Sequence, residues 1–207
     1  MAQPGSDTDA PRKPRLAIAL SGGGTTMMNL CDCIEGGSLN AEIVCVIASN
    51  TTCKGIERAQ QRGLSVQVLR RKDYSGKHAF SDELFQACRD RRADLLCLAG
   101  FLSLLVIPDD FAGRVLNIHP SLLPKFGGKG MHGHHVHQAV IDAGETESGC
   151  TVHLADNTYD TGPILLQKTC PVLPDDTADT LAGRVFELEC DAYPQAITEH
   201  WQRFTNP

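Results

Sequence analysis

Asn117 and His119 stand one residue apart in the run Asn-Ile-His-Pro-Ser-Leu-Leu-Pro that fills positions 117–124. Alternate residues of a β-strand project to the same face. An amide and an imidazole therefore share one face at the end of a strand that Pro120 terminates. Such a pair suits stabilisation of an oxyanion, or acid–base work. It would serve equally to hold the loop that follows. Two carboxylates, Asp156 and Asp160, come later, with His153 just ahead of them. One of them could reach His119 across the sheet edge, and a neighbouring carboxylate favours imidazolium and raises its pKa. Loop aspartates also form turns on their own account.

Ser21-Gly22-Gly23-Gly24-Thr25-Thr26 is the second candidate. Glycines let backbone approach an anion, and a helix N-terminus offers free N–H groups. Thr25 and Thr26 add hydroxyls. The pattern fits a phosphate but is neither of the common nucleotide fingerprints, and a simple tight turn would need the same glycines. His132, His134, His135 and His137 invite a metal, yet their spacing matches no usual zinc pattern and no Cys or acid lies among them. A glycine-rich ligand loop is the reading preferred over a metal site. Arg70-Arg71-Lys72 could meet a phosphate or carboxylate, or be a solvated charge run. Residues 101–107, Phe101-Leu102-Ser103-Leu104-Leu105-Val106-Ile107, could line a slot for a flat ligand, or be core.

These groups need a scaffold, and the periodicity supplies one. Short apolar runs bounded by turn residues predict strands at 16–20, 43–48, 65–69, 94–99 and 115–118. Helical patterns at 25–34, 54–62 and 78–92 lie between them, the last with Phe80, Leu84, Phe85 and Cys88 on one stripe. Strand alternating with helix predicts an α/β fold: an open, mostly parallel twisted sheet with helices on both faces. After residue 120 the pattern changes. A long loop over 120–135 precedes a helix at 136–143. Strands at 149–155 and 163–169 form an antiparallel C-terminal pair on the sheet edge. A terminal helix covers 180–204, and Pro194 should kink or break it.

Lys and Arg number 19 against 25 Asp and Glu, a formal net charge of -6 over 207 residues. That balance argues against a nucleic-acid coat or a binder of anionic membranes, while a local pocket can still take a small anion. The nine cysteines are odd in number and contain no Cys-x-x-Cys. They read as reduced hydrophobes of a cytoplasmic protein. No apolar run is long enough to cross a bilayer. Residues 1–14, polar with Pro4, Pro11 and Pro14, read as a disordered tail and lack the apolar stretch of a secretory signal.

Together these segments resemble the folate-dependent phosphoribosylglycinamide formyltransferase family. The likeness rests on the 117–124 run, and on Gly149-Cys150-Thr151-Val152-His153 followed by Tyr159-Asp160-Thr161-Gly162-Pro163-Ile164; it covers residues 15–204. It implies a Rossmann-like single domain over 15–207, with a nucleotide-binding half (15–118) and a folate-binding and catalytic half (119–207). It implies transfer of formyl from 10-formyltetrahydrofolate, the co-substrate, to the amine of 5-phosphoribosylglycinamide, with small-molecule substrates, no metal, and a monomer or weak homodimer. By the resemblance Asn117, His119 and Asp160 are the catalytic trio. Gly23, Gly24, Thr25 and Thr26 cradle the phosphate, and Pro120 and Glu189 meet the nucleotide substrate. Phe101 to Leu105, with Ala155, Asp156 and Asp160, line the pterin pocket. Amine attack on a formyl carbon builds charge on oxygen. The Asn117 amide and a protonated His119 would donate to it, with Asp160 keeping His119 cationic and moving protons.

Three places depart from the family pattern. The first loop is Gly-Gly-Gly-Thr-Thr where better-known members have Gly-Asn-Gly-Ser-Asn. Ser103 stands where many place an arginine thought to meet the folate's glutamate tail. The loop after Pro124 is longer and richer in Gly and His. Two relatives by resemblance compete as readings. A methionyl-tRNA formyltransferase would carry a further C-terminal domain and favour a basic surface. A formyltetrahydrofolate deformylase would carry an N-terminal regulatory domain and use water in place of the amine. A non-catalytic module binding a phosphometabolite or folate would tolerate loss of His119.

Overall fold

Leu16–Leu20 are fully buried, and alternate residues go to two different cores. Leu16, Ile18 and Leu20 pack with Met27, Leu30, Leu181 and Val185. Ala17 and Ala19 pack with Phe80, Leu84, Phe85 and Cys88. A strand apolar on both faces must have both faces covered, and the small alanines leave room for the aromatic side. The computed structural model of the protein describes residues 12–205.

The elements run β1 (Arg15–Leu20), α1 (Thr25–Glu35), β2 (Glu42–Ala48), α2 (Lys54–Gln61), β3 (Val66–Val68) and α3 (Lys77–Asp90). They continue with β4 (Leu95–Leu98), β5 (Val115–His119), α4 (His134–Asp142), β6 (Glu147–Leu154), β7 (Ile164–Pro171) and α5 (Ala178–Thr205). The seven strands form one sheet in the order β3-β2-β1-β4-β5-β6-β7. The first four pairings are parallel. The β5–β6 and β6–β7 pairings are antiparallel. The fold class expected from periodicity is the one observed. The carboxyl ends of β1, β4 and β5 lie together on one edge, where ligands of open α/β sheets bind.

Three details differ from the expectations. The tail reading for 1–14 lies outside the described residues up to 11. Residues 12–14, however, are tied to the fold: Arg12 grips Asp94 through two hydrogen bonds of 2.8 Å, and Trp201 donates to the Arg12 carbonyl. Helix α4 starts two residues early, so His134 and His135 belong to its first turn, not to the loop. Helix α5 is assigned as one continuous element through Pro194. Proline has no N–H for the carbonyl four residues back, which is that of Cys190. The Asn29 side-chain amide of α1 donates to that carbonyl at 2.8 Å and satisfies it from outside.

Candidate active site

Antiparallel register sets the first part of the site. Asn117 lies opposite His153, and His119 opposite Thr151. The period of two thus puts all four at one place on the β5–β6 ladder. The Asn117 amide nitrogen lies 3.0 Å from His153 Nε2 and donates to Asp160 Oδ1 at 3.4 Å. His153 Nδ1 faces its neighbour's carbonyl, that of Leu154, at 2.9 Å. His119 has an acceptor at each ring nitrogen: the Phe126 carbonyl at 2.8 Å from Nε2, and Asp160 Oδ2 at 3.6 Å from Nδ1. The backbone N–H of Gly128 donates to the same Asp160 oxygen at 2.8 Å.

Asp160 and Asp156 part company in the β6–β7 segment. Asp156 accepts from the Thr158 N–H at 2.8 Å and from the Thr161 hydroxyl, so it builds the turn. Asp160 sits in the left-handed region at φ 57°, uncommon for a non-glycine, and turns inward. A Cβ at Gly162 would collide with the Leu154 carbonyl, so only glycine lets the segment fold back this closely. The loop after β5 is braced separately. The Thr151 hydroxyl donates to the Ser121 carbonyl at 2.6 Å and accepts from the Leu123 N–H at 3.0 Å.

Electrostatics corrects one expectation. Burial pushes the His119 pKa below its ordinary value and outweighs the pull of Asp160 and of the Phe126 carbonyl, where the neighbouring carboxylate was expected to raise it. Burial alone would raise the Asp160 carboxyl. The His153 hydrogen bond, the charge of His119 and the Gly128 N–H together bring it below the usual carboxylate range. Glu189 on α5 is buried, and burial raises its carboxyl to about 7.

A cavity of about 690 Å³ opens over this cluster. Thr26, Asn117, His119, Pro120, Asp160 and Glu189 are on its wall. A smaller pocket of about 60 Å³ is lined by Ser103, Leu104, Leu105, Ala155 and Asp156 and shares Phe101, Asn117 and Asp160 with the first. Leu102 borders the larger cavity and is exposed. Gly23, Gly24 and Thr25 do not line either cavity but form the turn into Thr26. Gly24 has φ 73°, and a Cβ there would lie 2.8 Å from the Gly55 Cα. No side chain caps α1, so its first N–H groups stay free.

Other candidates fall outside the cluster or gain no function. Arg70 pairs with Asp73 within its own turn. His132, His134 and His137 face the larger cavity, and His134 lies 3.3 Å from Asp179. Among the described residues no three His, Cys, Asp or Glu side chains converge as metal ligands. Two contributors were missed from the sequence. The Tyr159 hydroxyl accepts from the Leu104 N–H at 3.2 Å and donates to the Leu102 carbonyl at 3.3 Å, fixing the 102–104 backbone. The Gly128 N–H holds Asp160. Tyr159 sits beside Asp160 in sequence, but no local pattern announces a contact more than fifty residues away. A backbone donor leaves no trace in residue type at all.

Comparison with known proteins gives concordant matches. A family model described as formyl transferase matches residues 14–197. The phosphoribosylglycinamide formyltransferase of Haemophilus influenzae is 35% identical over 88% of this chain and 85% of its own length. The trifunctional purine biosynthetic protein adenosine-3 of Drosophila melanogaster is 39% identical over 90% of this chain. The chain spans only 14% of that much longer relative. The crystal structure of phosphoribosylglycinamide formyltransferase from Brucella melitensis superposes with a TM-score of 0.81 at 40% identity, covering 92% of this chain and 96% of that one.

Proposed function

This chain belongs to the formyl transferase family, and we propose that it transfers the formyl group of 10-formyltetrahydrofolate to the amine of 5-phosphoribosylglycinamide in purine biosynthesis. The observation that carries the reading is the meeting of Asn117, His119 and Asp160 on one cavity wall, with Asp160 3.4 Å from the amide and 3.6 Å from the imidazole.

The chemistry follows from the groups. The substrate amine attacks the formyl carbon, a C–N bond forms, and the former carbonyl oxygen gains negative charge. Asn117 and the protonated ring of His119 donate hydrogen bonds to that oxygen. The ring keeps that proton throughout and shares it only as a hydrogen bond, so the proton transfers run through Asp160. Asp160, ionised and held by the Gly128 N–H, accepts the proton that the amine loses. It returns that proton to the folate nitrogen as the old C–N bond breaks. The turn at Gly23, Gly24, Thr25 and Thr26 takes the phosphate, with Pro120 and Glu189 along the nucleotide. Phe101 to Leu105, Ala155 and Asp156 take the pterin.

The deciding assay uses the purified chain and 10-formyltetrahydrofolate, with and without 5-phosphoribosylglycinamide. Formyl transfer only when the amine is present is the expected result. Formate release without it would replace this reading by a deformylase, and binding without turnover by a non-catalytic module.

A further inference from the structure

The glycine turn is held from behind. Three successive carbonyls accept hydrogen bonds from a single stretch of chain, the β2–α2 connection and the first turns of α2. The Asn50 side-chain amide donates to the Ser21 carbonyl at 3.3 Å. The Gly55 N–H donates to the Gly22 carbonyl at 3.1 Å. The Arg58 guanidinium donates to the Gly23 carbonyl at 2.8 Å. The peptide bonds concerned are trans. In a trans peptide C=O and N–H point in opposite directions. Drawing carbonyls 21, 22 and 23 toward α2 therefore turns the N–H groups of Gly22, Gly23 and Gly24 away from it. Among the described residues none of these three N–H groups has a protein acceptor. No residue from 50 to 58 lines the large cavity, whereas Thr26 and Gly100 beside the turn do.

Successive N–H groups pointing one way make an anion-binding concavity. Glycine residues, free in φ and ψ, hold such an arrangement only while something fixes their peptide planes. Arg58 has one N–H on Gly23, and among the described residues its guanidinium forms no salt bridge. Gly55 acts through backbone and Asn50 through a longer contact, so Arg58 is the strongest of the three ties and the only charged one. We propose that Arg58 is a positioning residue for the phosphate end of the substrate. It clamps the Gly23 carbonyl so that the 22–24 amides stay aimed at a phosphate monoester, and its uncommitted charge adds to the attraction. This rests on the formyl-transfer reading for the identity of the phosphorylated amine, but not for the anion site itself.

The test is steady-state kinetics of Arg58→Ala and Arg58→Lys on 5-phosphoribosylglycinamide and on its dephosphorylated riboside. Arg58→Ala is expected to raise KM for the phosphorylated amine about tenfold or more. Its kcat and its KM for the folate should stay within about twofold, with Lys recovering most of the loss. On the riboside, wild type and Arg58→Ala should be equal. An unchanged KM for the phosphorylated amine, or equal losses on both amines, would overturn the assignment. A second measurement stands apart from formyl transfer. Inorganic phosphate titrated into the wild-type chain should shift the Gly23 and Gly24 amide NMR signals, and much less in Arg58→Ala. If the chain transfers no formyl but shows these shifts, the function fails and the anion clamp survives. If wild type shows no shifts, the clamp fails whatever the activity.

Discussion

His119 has acceptors at both ring nitrogens, which favours the charged ring, and almost no water, which opposes it. Burial wins, so the ring gives up its extra proton at a lower pH than an exposed histidine would. The native chain then binds fewer protons than the unfolded one, and this residue's contribution to stability is lost as pH falls below its ordinary value of 6.5. Glu189 runs the other way. Its folded pKa of about 7 lies above the usual 4.5, so the native chain keeps a proton that the unfolded chain has released, and stability falls as pH rises through that window. Glu189→Gln should therefore be more stable than wild type at pH 8, by up to about 3 kcal/mol, and close to it near pH 4. Urea unfolding at the two pH values checks this; parallel profiles would mean that Glu189 is solvated. His119→Ala and Asp160→Ala should each fold and lose activity about a hundred- to thousand-fold, roughly 3–4 kcal/mol. The double variant should be little worse than either, because the two act as one unit. Near-normal turnover in either single variant would remove that residue from the mechanism.

Helix α5 carries Glu189 and passes over Pro194, whose missing N–H leaves the Cys190 carbonyl to Asn29. Asn29→Ala strands a partly buried acceptor and should cost about 1–3 kcal/mol in denaturant unfolding. In a Pro194→Ala background the helix regains its own donor, so the same change should cost less. Equal costs in both backgrounds would show that the Asn29 bond does not replace the lost helix bond. The same helix is pinned near the site by Tyr193. Its hydroxyl lies 2.9 Å from the Leu116 carbonyl within β5 and 3.1 Å from that of Leu98 at the end of β4. The helix expected to break at proline and the one observed differ through a partner 161 residues away. No window of local sequence contains that partner.

Across the whole molecule, all nine cysteines are free. Seven are buried and only Cys33 and Cys190 are half-buried. A thiol reagent should titrate all nine in denaturant and at most those two quickly in the native state. Fewer than nine under non-reducing denaturation would reveal a disulfide. The elements themselves were legible in the residues, because strand and helix announce themselves over a few positions. Apolar runs bounded by turn residues located the strands, and the spacing of Phe80, Leu84, Phe85 and Cys88 located a buried helix face. The period of two placed Asn117 and His119 on one side of β5, and the motif around them carried the family. Residue type and spacing left Asp156 and Asp160 open, and only the family resemblance singled out Asp160. That choice depends on which carboxylate the fold-back at Gly162 turns inward. The sequence alone could not give the sign of the His119 shift, since burial and a neighbouring charge oppose each other and only the folded environment sets their sizes. The tie of Arg12 to Asp94, the grip of Asn29 on α5 and the hold of Arg58 on the glycine turn were equally out of reach. Local propensity acts over a few bonds, whereas these contacts join residues that only the completed sheet and its covering helices bring together.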